Sequence, residues 1–107
     1  MLKIVAFFNP ADGVTVEAFE DWYLNKHVAD ARKIPGLRRY TIHKSNLAAE
    51  KSPRYFRLAE LEFDDLPAAE RALASPEYEY ALRDAKSFIK DHARYYFDST
   101  VIVPERE

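Results

Sequence analysis

Leu2–Phe8 is apolar on both faces: Leu2, Ile4, Ala6 and Phe8 share one side of an extended chain, and Val5 and Phe7 take the other. Such a strand belongs in the middle of a sheet that is covered front and back. The turn-like NPADG that follows ends it. A chain of 107 residues has volume for one core, so residues 1–107 are read as a single domain with a radius of about 13 Å.

Further along, Thr15 can cap a helix that carries Glu17 and Glu20 near its positive end, and Phe19, Trp22, Tyr23 and Ala29 lie on one broad face. Arg32 and Lys33 close that helix before Pro35-Gly36 breaks it. Extended structure resumes over Leu37–Lys44, and Ser45–Pro53 reads as a long hairpin loop. Tyr55–Phe63 alternates as a strand, with Tyr55, Arg57, Ala59, Leu61 and Phe63 opposite Phe56, Leu58, Glu60 and Glu62. Asp64-Asp65 introduces a helix through Leu66 and Pro67. Ser75-Pro76 interrupts it, and Glu77–Ala85 is a second helical piece. Phe88 and Ile89 anchor a loop, Arg94–Val103 is the expected last strand, and the tail PERE is expected to fray. The order strand, helix, strand, strand, helix, strand predicts a ferredoxin-like α+β fold, with a four-stranded antiparallel sheet.

Two helices cover one side of such a sheet, yet apolar residues fall on both. Leaving roughly six to eight of them wet, at about 1.5–3 kcal/mol each, would forfeit about 10 kcal/mol. The expected partner is therefore a second copy of the chain, paired face to face as a homodimer; the alternative is a monomer whose exposed patch is a ligand groove. Glu60 falls on the uncovered side and must be hydrated, paired or functional, with Arg38 or Tyr40 as neighbour.

Composition removes several classes of function. The absence of cysteine excludes disulfides and thiolate chemistry. A net charge of −2 without a basic motif argues against nucleic acid as partner. No run approaches the roughly 20 apolar residues of a membrane helix, and the first residues read as a strand rather than a signal peptide. The expected address is the cytoplasm. His27, His43 and His92 are scattered, so neither a metal site nor any other cofactor is expected.

The stretch FEDWYLNKHVADARKIPGLRRY, Phe19–Tyr40, resembles the EthD family, named for a gene cluster associated with ethyl tert-butyl ether degradation and part of the dimeric α+β barrel superfamily. The matching features are Phe19, Trp22-Tyr23, His27, Pro35-Gly36-Leu37 and Tyr40; AELEFDDLPAAERALASPEY, Ala59–Tyr78, extends the likeness. The resemblance implies a dimeric barrel with a cavity between sheet and helices. It also implies relatives that include oxygenases, decarboxylases, dehydratases and cyclases of small aromatic or polyketide-like molecules.

Within that frame His27 is the candidate acid or base, since imidazole exchanges protons near neutrality. Tyr23 is expected beside it and Trp22 more obliquely round the helix, while Asp30 either polarises it or pairs with Lys26 or Lys33. Tyr40 is the candidate hydroxyl partner. Phe19, Trp22, Tyr23, Phe56, Glu60 and Tyr96 are candidate substrate-binding residues, and His43 and His92 are expected to face solvent. Each of these residues also has an ordinary packing role open to it. Two functions follow: cofactor-free proton transfer or oxygenation on a small aromatic, polyketide-like or carbonyl compound, or non-catalytic binding of a small hydrophobic molecule in support of a degradative or biosynthetic oxygenase system.

Overall fold

The computed structural model describes residues 1–106; Glu107, the last of the tail residues expected to fray, lies outside them. Strand β1 (Leu2–Pro10) sits inside a four-stranded sheet of order β2-β3-β1-β4, where β2 is Arg39–Lys44, β3 is Arg57–Phe63 and β4 is Ile89–Asp98. Every neighbouring pair is antiparallel. The strand that is apolar on both faces is thus central, as its pattern demands.

On one side of the sheet lies a helical rod with three parts: α1 (Val16–Trp22), a π-helical turn (Tyr23–His27) and α2 (Val28–Ala31). Thr15 caps it by accepting the Ala18 N–H. Helices α3 (Leu66–Leu73) and α4 (Pro76–Ala85) complete the layer. Asp65 and Ser75 cap them in the same manner, and each has proline in its first turn. At Gly36, φ is +79°, a conformation that suits glycine where the chain turns from the rod toward β2.

The helices bury Leu2, Ile4 and Phe8 of β1 and Ala59, Leu61 and Phe63 of β3. Two clusters result: Leu2, Ile4, Ala31, Ile34, Leu61 and Phe63 pack with Ala69 and Ala72, while Phe8, Phe19, Trp22, Tyr23 and Ala85 form an aromatic group. The other face of the sheet carries no helix. It presents Val5 and Phe7 with Tyr95 opposite Val5, Phe97 opposite Lys3, and Leu58 opposite Phe7. Tyr95 and Phe97 are 55% and 50% exposed. With one helical layer on one sheet the particle is flat, 37 × 36 × 23 Å, and its radius of gyration, 14.5 Å, exceeds the expected value slightly.

Strand boundaries differ from the sequence reading, and β1 itself runs on from the expected Phe8 to Pro10. Strand β4 starts five residues before the expected Arg94, and Val101, Ile102 and Val103 lie exposed beyond its end. Pairing explains this: β1 draws Ile89–Asp98 alongside itself, from Pro10↔Ile89 to Leu2↔Asp98, although that edge segment is largely polar. Strand β2 begins at Arg39 rather than Leu37. Strand β3 begins at Arg57 rather than Tyr55, so alternation does not extend upstream. Phe56 consequently turns to the helix side against Phe19, and Tyr55 to the open side against Phe7, each opposite to the expected face.

Candidate functional site

A cavity of about 70 Å³ opens at the seam between the two core clusters. Ala6, Ala31, Ala59, Ala81 and Ala85 line it, and their short side chains leave the space unfilled. Trp22, His27, Tyr40, Tyr78 and His92 supply its aromatic and polar wall. For scale, an engineered cavity of about 150 Å³ admits benzene. The space here suits a few waters or a molecule of four or five heavy atoms.

His27 enters from the π-helical turn, where the Val28 N–H reaches the Tyr23 carbonyl five residues back. Such turns are uncommon and recur at functional sites. Here the turn has a local consequence: the His27 ring lies 4.8 Å from the Trp22 ring and 5.6 Å from that of Tyr23. An unbroken α-helix would favour Tyr23 as the nearer neighbour, so the expected order is reversed. Trp22 is fixed in turn. Its Nε1–H donates to Asp84 at 2.9 Å, and Phe88 stacks on it at 4.5 Å.

The imidazole has no such anchor. Its Nδ1 is buried without a hydrogen-bond partner. Asp30, the candidate for polarising it, instead accepts from Lys26 Nζ at 2.9 Å, and Lys26 also reaches Asp84 and the Tyr80 hydroxyl. Burial pushes the His27 pKa below 6.5 and outweighs the opposing pull of Asp30 and Asp84. The ring is therefore neutral at pH 7, a state able to accept a proton.

Tyr40 reaches the cavity from β2, opposite Leu61. Burial, partly offset by Tyr23 and by the Arg57 guanidinium, raises its pKa to about 12, so it keeps its proton and can donate. Tyr23 lies behind the wall with its hydroxyl buried and unpartnered, and burial pushes its pKa upward too. Beneath it Arg57, 7% exposed, forms a two-pronged pair with Glu20 at 2.7 and 3.1 Å and sits 5.0 Å from the centre of the Tyr23 ring.

His92 is exposed, as expected, but it also borders the cavity, and the cause is backbone geometry. Between Phe7 and Asn9 the β1–β4 register shifts, and Asp91 adopts φ +57° while accepting from Asn9 Nδ2 at 3.1 Å. The extra residue forms a bulge. It allows Ile89 and His92, which strict alternation would put on opposite faces, to line the same cavity. His92 is exposed as a whole, but its ring lies against Phe8 at 6.5 Å. That cover, followed by the charge of Arg94, lowers its pKa.

The other candidates are dispersed. Phe19 is fully buried and stacks on Tyr23 behind the cavity. Phe56 packs on Phe19, and Tyr96 is 44% exposed on β4 outside the cavity lining. Glu60 is on the opposite face of the sheet. There it pairs with Lys3 at 3.1 Å and with His43 Nε2 at 2.6 Å, so neither Arg38 nor Tyr40 is its partner. Burial alone would raise the Glu60 pKa, but the bonds from His43 and Lys3 hold it below the ordinary value. Among the described residues no group of three or more metal-binding side chains converges.

Sheet order, helical layer and interior cavity define a ferredoxin-like α+β protein with a small-molecule-sized chamber. The chain belongs to the EthD family: the model of the EthD domain matches residues 11–92. An uncharacterised 11.0 kDa protein of Rhodococcus erythropolis, from the thcB–thcC intergenic region, is 30% identical over 106 residues, covering 97% of this chain and 100% of the relative. Among solved structures, an EthD family protein of Bacillus halodurans superposes with a TM-score of 0.78 at 21% identity, over 94% of this chain and 99% of that one. A dimeric protein of unknown function with a ferredoxin-like fold from Bacteroides fragilis gives 0.71 at 18% identity, over 92% and 95%. SnoaB of Streptomyces nogalater, described as a cofactor-independent oxygenase, gives 0.71 at 19% identity, over 97% of each chain. No helix of the described residues is long and apolar enough to cross a membrane.

Proposed function

We propose that this protein binds a small, mostly apolar carbonyl compound in the cavity and moves a proton on it without a cofactor, with His27 as base. One observation carries this reading: a buried imidazole nitrogen without a partner on the wall of an unfilled chamber. Leaving a buried polar atom unsatisfied costs about 1–3 kcal/mol, a cost that a ligand can relieve. Neutral His27 takes a proton from carbon or hydroxyl, and the Tyr40 hydroxyl donates to the oxygen on which negative charge develops. An anion formed in this way can also supply electrons to dioxygen, and the likeness to SnoaB supports that extension.

The protein acts as a homodimer joined through the open sheet face, a reading supported by exposed Tyr95 and Phe97 and by the dimeric Bacteroides fragilis relative in fold. The same bare Nδ1 also suits non-catalytic binding, since no side chain orients the His27 ring through it.

Hydrogen–deuterium exchange separates the two. The wild-type protein should speed exchange of the methylene protons of 2-butanone in D₂O beyond the buffer rate, as followed by proton NMR. His27→Gln should abolish that excess while retaining the fold. Butanone that binds without accelerated exchange would leave the binding role alone standing.

A further inference from the structure

Charge is distributed unequally around the cavity. At the helical end the charges beside His27 are matched: Lys26 pairs with Asp30 and Asp84, and Asp84 also takes the Trp22 N–H. At the β4 end the balance is lost. Arg94 stands opposite Ala6, a cavity residue, and its guanidinium donates to the hydroxyl of Tyr78, another cavity residue. Among the described residues no carboxylate lies within salt-bridge distance of it, as is also true of Arg32, Arg54, Arg71 and Arg83; what sets Arg94 apart is that its one anchor is a residue of the cavity wall. The carboxylates and ammonium nearest in sequence are engaged elsewhere, Asp91 with Asn9 and Lys90 with Asp12. His92 precedes Arg94 by two positions along the same strand and lines the cavity.

We infer that the β4 edge of the cavity is an anion-recognising mouth, in which Arg94, held by Tyr78 and flanked by His92, receives the carboxylate of a short unsaturated or keto acid whose carbon body enters the apolar chamber. This rests on the cavity being a ligand site, and it narrows the ligand class from neutral compounds to acids. The guanidinium is already positioned by the Tyr78 hydroxyl and stacked 5.7 Å from the ring centre, so little side-chain freedom is lost when the anion arrives. A chamber of about 70 Å³ accepts a chain of about four carbons more readily than a fused ring system.

Crotonate and its neutral counterpart crotonamide test this through amide chemical-shift titration of the ¹⁵N-labelled protein. Shifts at His27, Ile89 and His92 identify cavity binding. Wild type should bind crotonate roughly five- to tenfold more tightly than crotonamide, the range of a partly exposed hydrogen bond to a charged group. Arg94→Gln should bring the two affinities together by weakening crotonate alone, and Arg94→Lys should keep part of the preference. Equal affinities in the wild type, or a preference that survives Arg94→Gln, would overturn the anion mouth and leave the cavity reading intact. If neither compound shifts the cavity amides, both fail.

Discussion

The two faces of the sheet treat polar groups in opposite ways. On the open face Lys3, Glu60 and His43 form a chain of contacts, and Arg39 approaches Glu62 at 3.7 Å. On the covered face Arg57 and Glu20 satisfy each other, but His27 Nδ1 and the Tyr23 hydroxyl are buried without partners. Paired charge is how a structural surface tolerates burial; an unpaired group beside a void marks a place where something else completes the bonding. The difference supports the proposal that chemistry belongs to the covered face and assembly to the open one.

The largest effect should come from the aromatic core that supports the cavity. Phe19→Ala removes a fully buried ring in contact with Phe8, Trp22, Tyr23 and Phe56, and should cost about 3–5 kcal/mol in urea unfolding. Next is Glu20→Ala, which strands the buried Arg57 guanidinium and should cost about 3 kcal/mol. A loss below about 1 kcal/mol would mean that water solvates the stranded guanidinium, since Lys44, 4.0 Å from Glu20, is a second cation that loses the same partner.

Glu60→Gln should be milder, at most about 1 kcal/mol in the separated protomer, because its partners are substantially exposed. Its pH signature is defined. The folded pKa lies below the ordinary value of 4.5, so the contribution is complete above 4.5 and fades as pH falls through the lower folded value. Acid unfolding of wild type and Glu60→Gln should converge there. Much greater sensitivity in the dimer than in the protomer would strengthen the assignment of this face to assembly.

His27→Gln should be the smallest change in stability at pH 7, within about 1 kcal/mol, since it exchanges one unsatisfied polar group for another. Its effect lies in pH. With the folded pKa of His27 below 6.5, the unfolded chain binds the proton more readily, so stability is complete above 6.5 and declines as pH drops toward the folded value. The variant should lose His27's share of that decline. His92, displaced in the same direction, should retain its own.

Much of this arrangement is legible in the sequence, and the exceptions have physical causes. The central strand, the helix starts at Thr15 and Asp65, the break at Ser75-Pro76 and the central placement of β3 follow from side-chain pattern and turn chemistry. The start of β4 is less legible because an edge strand needs few apolar residues, and Lys90, Asp91 and His92 look like loop. The partners of Glu60 depend on strand register, which composition does not encode. His92 joins His27 at the cavity only because Asp91 bulges out of the ladder, and an aspartate at positive φ carries no strong sequence signal. The π-helical turn was equally hidden, since Leu24, Asn25 and Lys26 suit an ordinary helix.

The most direct test follows the His27 ring by ¹³C–¹H NMR as pH is varied, with His27→Gln providing the assignment. A neutral, unpaired imidazole in an apolar wall predicts a midpoint below 6.5 that moves when a cavity ligand is added. A midpoint at or above 6.5, indifferent to ligand, would reveal a carboxylate partner and a scaffolding histidine, contrary to the role assigned to it.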